Sequence, residues 1–322
     1  MSEKLKSMKT VLKNVKNWYL LPLLCLGLKQ NVNLLFRNGI VVRIPNKSRL
    51  SLIFYVNQIL AASDTIYKCE DRYIISLKDF KLTFTPNDEN DIYRSYLLAS
   101  LHKSLKIKFF GEDFCEFDFE GRKVKYVFNP HDFTSIANLY STFVEQQYKA
   151  LNVEGKIVAD IGASYGDTPI YFALKGARRV YAYEPIPWVA KMMLQNIRMN
   201  KLQDIVKVFT YAVSAIPNQK RLLCIPLRAT DSASLYYKRS NDNTTTIYVE
   251  TVTPPLDAHV IKIDCEGCEY DIILNWLENK LYEEILIEYH KGYKKLAQKL
   301  KELGYKVQIL RKWNKLMAYS GN

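Results

Sequence analysis

Asp160-Ile161-Gly162-Ala163-Ser164-Tyr165-Gly166-Asp167-Thr168 closes the apolar run Ile157 to Ile161 and leads straight into the helix-forming stretch Pro169 to Lys175. Glycines at a strand-to-helix turn let the backbone approach a ligand closely, at the carboxyl edge where doubly wound sheets bind cofactors. The next run, Arg179 to Tyr183, ends in Glu184-Pro185. An acid at the end of a second strand is placed to accept hydrogen bonds from both hydroxyls of a ribose. Asp160 and Glu184 therefore mark a nucleoside-binding edge, where turn glycines and a surface glutamate are the bland alternative. The spacing is G-x-x-x-G with an acid ahead of it, not the G-x-G-x-x-G that cradles a dinucleotide pyrophosphate. S-adenosylmethionine, with an amino-acid end and a sulfonium in place of phosphates, suits that spacing better than NAD.

Outward from this stretch, strands and helices alternate. Apolar strand runs recur at Val206 to Tyr211, Val260 to Ile263, Glu284 to Ile287 and Lys306 to Leu310, with helical patterns at Trp188 to Met199, Tyr270 to Leu277 and Tyr293 to Leu303. Such alternation predicts an α/β fold, a doubly wound and mostly parallel sheet covered on both faces. Between Leu222 and Thr253 the pattern breaks into Leu222 to Leu227 and Thr244 to Val252, which reads as a hairpin inserted before the fourth parallel strand. Ahead of Thr134 the texture differs: Asn38-Gly39 between Val32 to Leu35 and Ile40 to Ile44 is a hairpin signal, and short candidate strands follow at Tyr73 to Leu77, Leu82 to Phe84 and Val124 to Phe128. This predicts a smaller α+β N-terminal region over residues 1–130 and the doubly wound domain over 131–322.

Three motifs, Asp160-Ile-Gly-Ala-Ser-Tyr-Gly-Asp167, Tyr183-Glu-Pro185 and Ile261-Lys-Ile-Asp-Cys-Glu-Gly-Cys-Glu269, resemble those of the FkbM family of class I methyltransferases. Tyr211-Ala-Val-Ser214 and Val249-Glu-Thr-Val-Thr253, leading to Asp257, agree more weakly. Ser164 stands where the family usually has asparagine, and Pro254-Pro255 where its Leu-Asp segment begins. The resemblance implies a seven-stranded Rossmann-like sheet and methyl transfer from S-adenosylmethionine to a hydroxyl of a glycan, a lipid-linked sugar or a small molecule. It further implies that Asp160, the loop Gly162, Ala163, Ser164, Tyr165 and Gly166, and Glu184 with Pro185 bind cofactor. Ala212 would lie by the adenine, and Asp264 with Glu266 would face the reaction centre, Asp264 also contacting the cofactor.

O-methylation needs a base or a metal to take the hydroxyl proton. Asp264, Glu266, Glu288 and His290 converge on one edge of the expected sheet, and His290 has the ordinary pKa best matched to a base near neutrality. Asp264 has a structural alternative, capping the helix that follows, and His290 another, a place at the start of a loop. Asp264 and Glu288 are also hard oxygen donors of the kind that hold magnesium, a minority reading beside the metal-free one. The alternatives for the chain as a whole are an RNA methyltransferase and a non-catalytic binding module on the same fold. No Asn-Pro-Pro-aromatic signature of a base methylase is present, and Cys265 is a weakly supported nucleophile.

The chain has 322 residues and a formal net charge of +13, which suits an acidic partner without choosing one. Lys4, Lys6, Lys9, Lys13, Lys16, Lys29, Arg37, Arg43, Lys47 and Arg49 oppose the single acid Glu3 in the first fifty residues. Leu5, Met8, Val11, Leu12, Val15 and Trp18 fall on one helical face, so this segment reads as a basic amphipathic helix that either packs on its own domain or lies on an anionic membrane. The apolar run Trp18 to Leu28 is too short to span a bilayer and lacks a cleavage site, which gives a cytoplasmic expectation, with peripheral membrane contact as its extension. The six cysteines are scattered, as in a reducing compartment; Cys265 and Cys268 form a C-x-x-C pair whose context fits neither a zinc site nor a thioredoxin-like motif. Removing residues 1–28 is expected to lower binding to anionic vesicles at low salt and leave cofactor affinity intact. Equal vesicle binding by the full and shortened chains would return the helix to a packing role.

Overall fold

In the computed structural model the described residues are 14–26, 28–46, 51–70, 72–77, 80–86, 88–105, 107, 109–110, 113–129, 133–226, 232–236, 244–310 and 314–320. Most of the amphipathic N-terminal segment lies outside them. The chain divides into two compact units, Met1–Phe110 and Gly111–Asn322. No helix among the described residues is long and apolar enough to cross a membrane.

The first unit contains the hairpin Val32–Leu35 and Val41–Ile44, with Gly39 at φ +88°, the left-handed conformation that the Asn-Gly turn demands. An antiparallel meander, Thr65–Cys69, Arg72–Leu77 and Phe80–Phe84, follows. Two helices, Ser51–Ala62 and Glu89–Leu105, are additions to what the sequence suggests. The first is almost wholly apolar and buries Leu52, Ile53, Val56 and Ile59, so it shows little polar-apolar alternation to read. Tyr55 stacks on Tyr96 of the second at 4.7 Å.

The second unit is built on a seven-stranded sheet: β1 (Ile157–Ile161), β2 (Arg179–Tyr183), β3 (Val206–Phe209), β4 (Val260–Ile263), β5 (Glu284–Glu288), β6 (Lys306–Leu310) and β7 (Lys315–Tyr319). Its order is β3-β2-β1-β4-β5-β7-β6, parallel except where β7 runs antiparallel between β5 and β6. β1 and β4 are buried at every residue, which explains their continuous apolar runs. The order reverses beside β1, so the ends of β1, β2 and β4 form the crevice where such sheets bind ligands. Helices α1 (Asp167–Leu174), α2 (Pro187–Met199), α3 (Cys268–Asp271, continued by a π-helical turn over Ile272–Trp276) and α4 (Lys294–Glu302) connect the strands. Ahead of β1 the chain is α-helical over Phe133–Leu139 and widens to a π turn over Tyr140–Val144. The inserted hairpin is present as Lys220–Pro226 against Thr244–Val252.

The hairpin Phe114–Phe119 and Arg122–Val127 belongs to this second unit, so the boundary falls ahead of the expected 130/131. The reason lies on α2. Asn196 Oδ1 accepts from Val127 N–H at 2.7 Å while its Nδ2 donates to the carbonyls of Val127 and Tyr165, both at 2.9 Å; Asn200 pairs likewise with Lys125. Asn196→Ala would leave three backbone groups of these elements without partners. Denaturant unfolding is expected to show a loss of about 2 kcal/mol or more, and Asn200→Ala less. Equal, small losses would mean that water replaces the amide.

Candidate functional site

The loop after β1 is shaped by a close approach of two strand ends. Gly162 has φ +76°, and a Cβ there would lie 1.8 Å from the Asp264 carbonyl oxygen, so only glycine fits. The N–H groups of Gly162 and Ala163 both donate to the Tyr183 carbonyl, and Asp264 N–H donates to Ile161 O, each at 3.0 Å. The ends of β1, β2 and β4 are thereby fixed to one another. Ser164 is left-handed at φ +48°, a conformation that asparagine tolerates better than serine, which accounts physically for the family's usual residue there. Gly166, at φ +94°, faces Met193, whose Cγ would be 2.9 Å from an added Cβ.

Glu184 sits at the end of β2 with both oxygens engaged. Oε2 accepts from Ser164 N–H at 3.1 Å and Oε1 from Ile186 N–H at 2.9 Å. Burial pushes its pKa up to about 7, against these bonds and the charge of Lys262. Each oxygen keeps a further lone pair, so the carboxylate is held in place and still able to accept from a ribose. Ala163 and Tyr165 are fully buried, leaving their backbone to line the loop; Pro185 is half-buried and Ala212 buried.

Asp160 does not face the crevice as an open carboxylate. It is wholly buried, with Thr168 Oγ1 donating to Oδ2 at 2.5 Å and Lys262 Nζ 3.1 Å from Oδ1. Thr168 and Lys262 thus hold its carboxylate beneath the loop. Lys262 is the central group that sequence reading missed. The signal was available as a lysine within the otherwise apolar run Val260–Ile263.

On the acceptor side the sequence-selected residues are brought together. Asp264, Glu288 and His290 offer oxygen and nitrogen atoms within 4.8 Å of one another, and all three are partly exposed, as is Glu266. Behind them lie buried partners. Tyr148 Oη donates to Asp264 Oδ2 at 3.4 Å, and its ring has Lys262 Nζ 5.6 Å and Lys315 Nζ 4.6 Å from its centre. Lys315, fully buried on β7 and opposite Glu288 in the β5–β7 register, is ion-paired to Glu288. Burial opposes charge on Asp264, but Lys262, Lys315 and His290 outweigh it and hold its carboxyl below the ordinary range. Burial and the neighbouring Asp264 raise Glu288, with Lys315 opposing.

Two expectations are corrected here. Asp264 is not a helix cap: α3 begins after Gly267 with no side-chain cap, and the Gly267 N–H bonds instead to Glu269 Oε2 at 2.7 Å. His290 is not a resting base. Its Nδ1 lies 3.0 Å from Glu269 Oε1 and its Nε2 3.5 Å from Glu266 Oε1. Burial disfavours the imidazolium, but these carboxylates and Asp264 prevail and raise His290 to about 9. Cys265 and Cys268 are joined in a disulfide, which the scattered-cysteine reading did not foresee. The chain bends between them at Glu266 (φ +52°) and Gly267 (φ +122°), bringing their Cα atoms to 5.5 Å. The insert also reaches this loop: Ser234 Oγ donates to the Glu266 carbonyl, and Tyr236 Oη to Asp271.

Residues 160–307 match the family model described as the Methyltransferase FkbM domain. Protein arginine N-methyltransferase 6 of Danio rerio is 32% identical over 65 residues, 20% of this chain and 18% of that protein. Ribosomal protein L11 methyltransferase of Carboxydothermus hydrogenoformans is 39% identical over 54 residues, 17% of this chain and 18% of that protein. The chain thus spans only a small part of the length of either relative. Among solved structures, P. horikoshii TYW2 in complex with MeSAdo is 12% identical with a TM-score of 0.37, over 83% of this chain and 94% of that one.

Between pH 5 and 9 three groups of the site shift in one direction. Glu184 near 7 and Asp167, raised by burial to about 6, bind protons more tightly folded than unfolded, and so does His290 near 9. Stability from all three is present at low pH and lost as pH rises through these values, so the ligand-free protein should melt several degrees lower at pH 9 than at pH 5. A flat or rising melting temperature over that range would contradict the assigned protonation.

Proposed function

We propose that the chain, whose residues 160–307 match the Methyltransferase FkbM domain, is an S-adenosylmethionine-dependent O-methyltransferase acting on a hydroxyl of a glycan, a lipid-linked sugar or a small molecule. The observation that carries the choice of acceptor is the row of partly exposed carboxylates Asp264, Glu266 and Glu288 beyond β4 and β5, in a chain whose net charge is +13. A phosphate backbone would have to approach carboxylates there, which disfavours RNA; a hydroxyl gains hydrogen-bond acceptors.

S-adenosylmethionine, when bound, supplies an electrophilic methyl group. Glu184 would hold its ribose, and the Gly162–Gly166 loop its amino-acid end. Asp264, kept anionic, orients the acceptor hydroxyl, and Glu288, whose pKa lies above the usual carboxylate range, takes the proton. A magnesium ion fits this set poorly, because Glu288 already carries Lys315 and His290 already carries a proton. Peripheral membrane contact draws support from Trp18, Tyr19, Leu26 and Leu28, all exposed.

Calorimetry should show S-adenosylmethionine and S-adenosylhomocysteine binding, weakened at least tenfold by Glu184→Ala through loss of a charge-assisted bond worth about 1.5 to 3 kcal/mol. With radiolabelled cofactor and fractionated extract, label should enter the glycan, lipid or small-molecule pool. Asp264→Asn should keep most cofactor affinity and slow transfer roughly a hundredfold, with no loss on adding a chelator to wild type. Label confined to RNA would replace the acceptor class, and an unchanged dissociation constant for Glu184→Ala would remove Glu184 from the site.

A further inference from the structure

We propose that Lys262 is a positioning residue that ties the cofactor loop to the acceptor-side carboxylate, serving as their shared counter-ion and tether. The proposal rests on the reading of this edge as a nucleoside-cofactor site. Lys262 stands opposite Asp160 in the β1–β4 register and two residues before Asp264 on its own strand, so the three side chains share one face of the sheet. Its ammonium lies 3.1 Å from Asp160 Oδ1 and 3.9 Å from Asp264 Oδ2. It donates to the Gly162 carbonyl at 2.6 Å and approaches the Ile161 carbonyl at 3.3 Å.

A lysine that only neutralised Asp160 would need one contact. This one also grips the two carbonyls at which β1 turns into the cofactor loop, and touches the first acceptor-side carboxylate. Burying an ammonium in a central strand is unfavourable unless its protons and charge are fully used, and here they are spent across both halves of the site. Its charge also favours the ionised forms of Glu184 and Asp167. Cofactor loop and acceptor carboxylates thus share one cation, and a change at either is felt at the other.

The test compares Lys262→Met and Lys262→Arg with wild type, in the full chain, by two measurements. In calorimetry with S-adenosylhomocysteine from pH 6 to 8.5, Lys262→Met should bind at least tenfold more weakly. The pH of half-maximal affinity should move upward, because Glu184 loses a cation that favours its charged form. Lys262→Arg should restore the midpoint but not the full affinity, since it returns the charge in a different shape. In ligand-free melts, the gap in Tm between wild type and Lys262→Met should widen from pH 5.5 to 8.5, as buried carboxylates are forced to ionise without their counter-ion. A purely structural lysine would lower Tm equally at every pH and leave the binding midpoint in place.

Unchanged affinity and midpoint, or a Tm gap independent of pH, would overturn the proposal. If wild type fails to bind S-adenosylhomocysteine, the cofactor reading falls, and the melts alone decide whether Lys262 is the shared counter-ion. Should Lys262→Met not fold, Lys262→Met/Asp160→Asn, which removes both buried charges, carries the same measurements against Asp160→Asn.

Discussion

No side chain fits at residue 162, because the Asp264 carbonyl oxygen occupies the space a Cβ would need, at 1.8 Å. That single steric constraint holds the ends of β1 and β4 in backbone contact. Everything else in the site is arranged around the contact: the Tyr183 carbonyl receives two N–H groups from the loop, and Asp264 N–H returns a bond to β1. Cofactor side and acceptor side are then parts of one surface and not two facing loops. A substitution at Gly162 would push the β1 loop away from the Asp264 carbonyl and disturb every group fixed to that contact.

The charges divide into a front row and a back row. Asp264, Glu266, Glu288 and His290 meet solvent, while Lys262, Lys315, Tyr148 and Glu269 are buried behind them. The back row decides what the front row can do. Lys262 and Lys315 hold Asp264 below the ordinary carboxylate range, Glu269 helps to raise His290 to about 9, and crowding by Asp264 raises Glu288. The disulfide and Ser234 fix the intervening loop from both sides, so the front row stands on a braced segment in spite of the left-handed backbone at Glu266 and Gly267.

The sheet was legible because its strands are buried on both faces and announce themselves as apolar runs; β1, β2, β4 and β6 fall on the residues their runs suggest. β7 was not, since Lys315 and its neighbours follow a short polar stretch and the strand's antiparallel pairing has no signature along the chain. Of the site, the motif residues were legible and their partners were not. Tyr148 continues a helical apolar stripe and reads as core; its hydroxyl reaches a residue more than a hundred positions away. Lys315 joins Glu288 only through that unforeseen strand, and Glu269 takes His290 only once α3 starts after Gly267. Contacts that depend on a partner remote in sequence cannot be read from a motif, as the pairing of Asp160 with Lys262 and of His290 with Glu269 shows.

Net charge illustrates the same separation of scales. The surplus of lysine and arginine is spread along the chain, much of it in the first fifty residues and after Lys291. The site obeys other rules: carboxylates at its edge, cations beneath, and distances of 3 to 4 Å at which buried groups act on one another far more strongly than exposed charges do through water. A basic protein can therefore present an acidic reaction centre. The surplus charge along the chain and the charges of the site belong to different residues, so the first can change without altering the second.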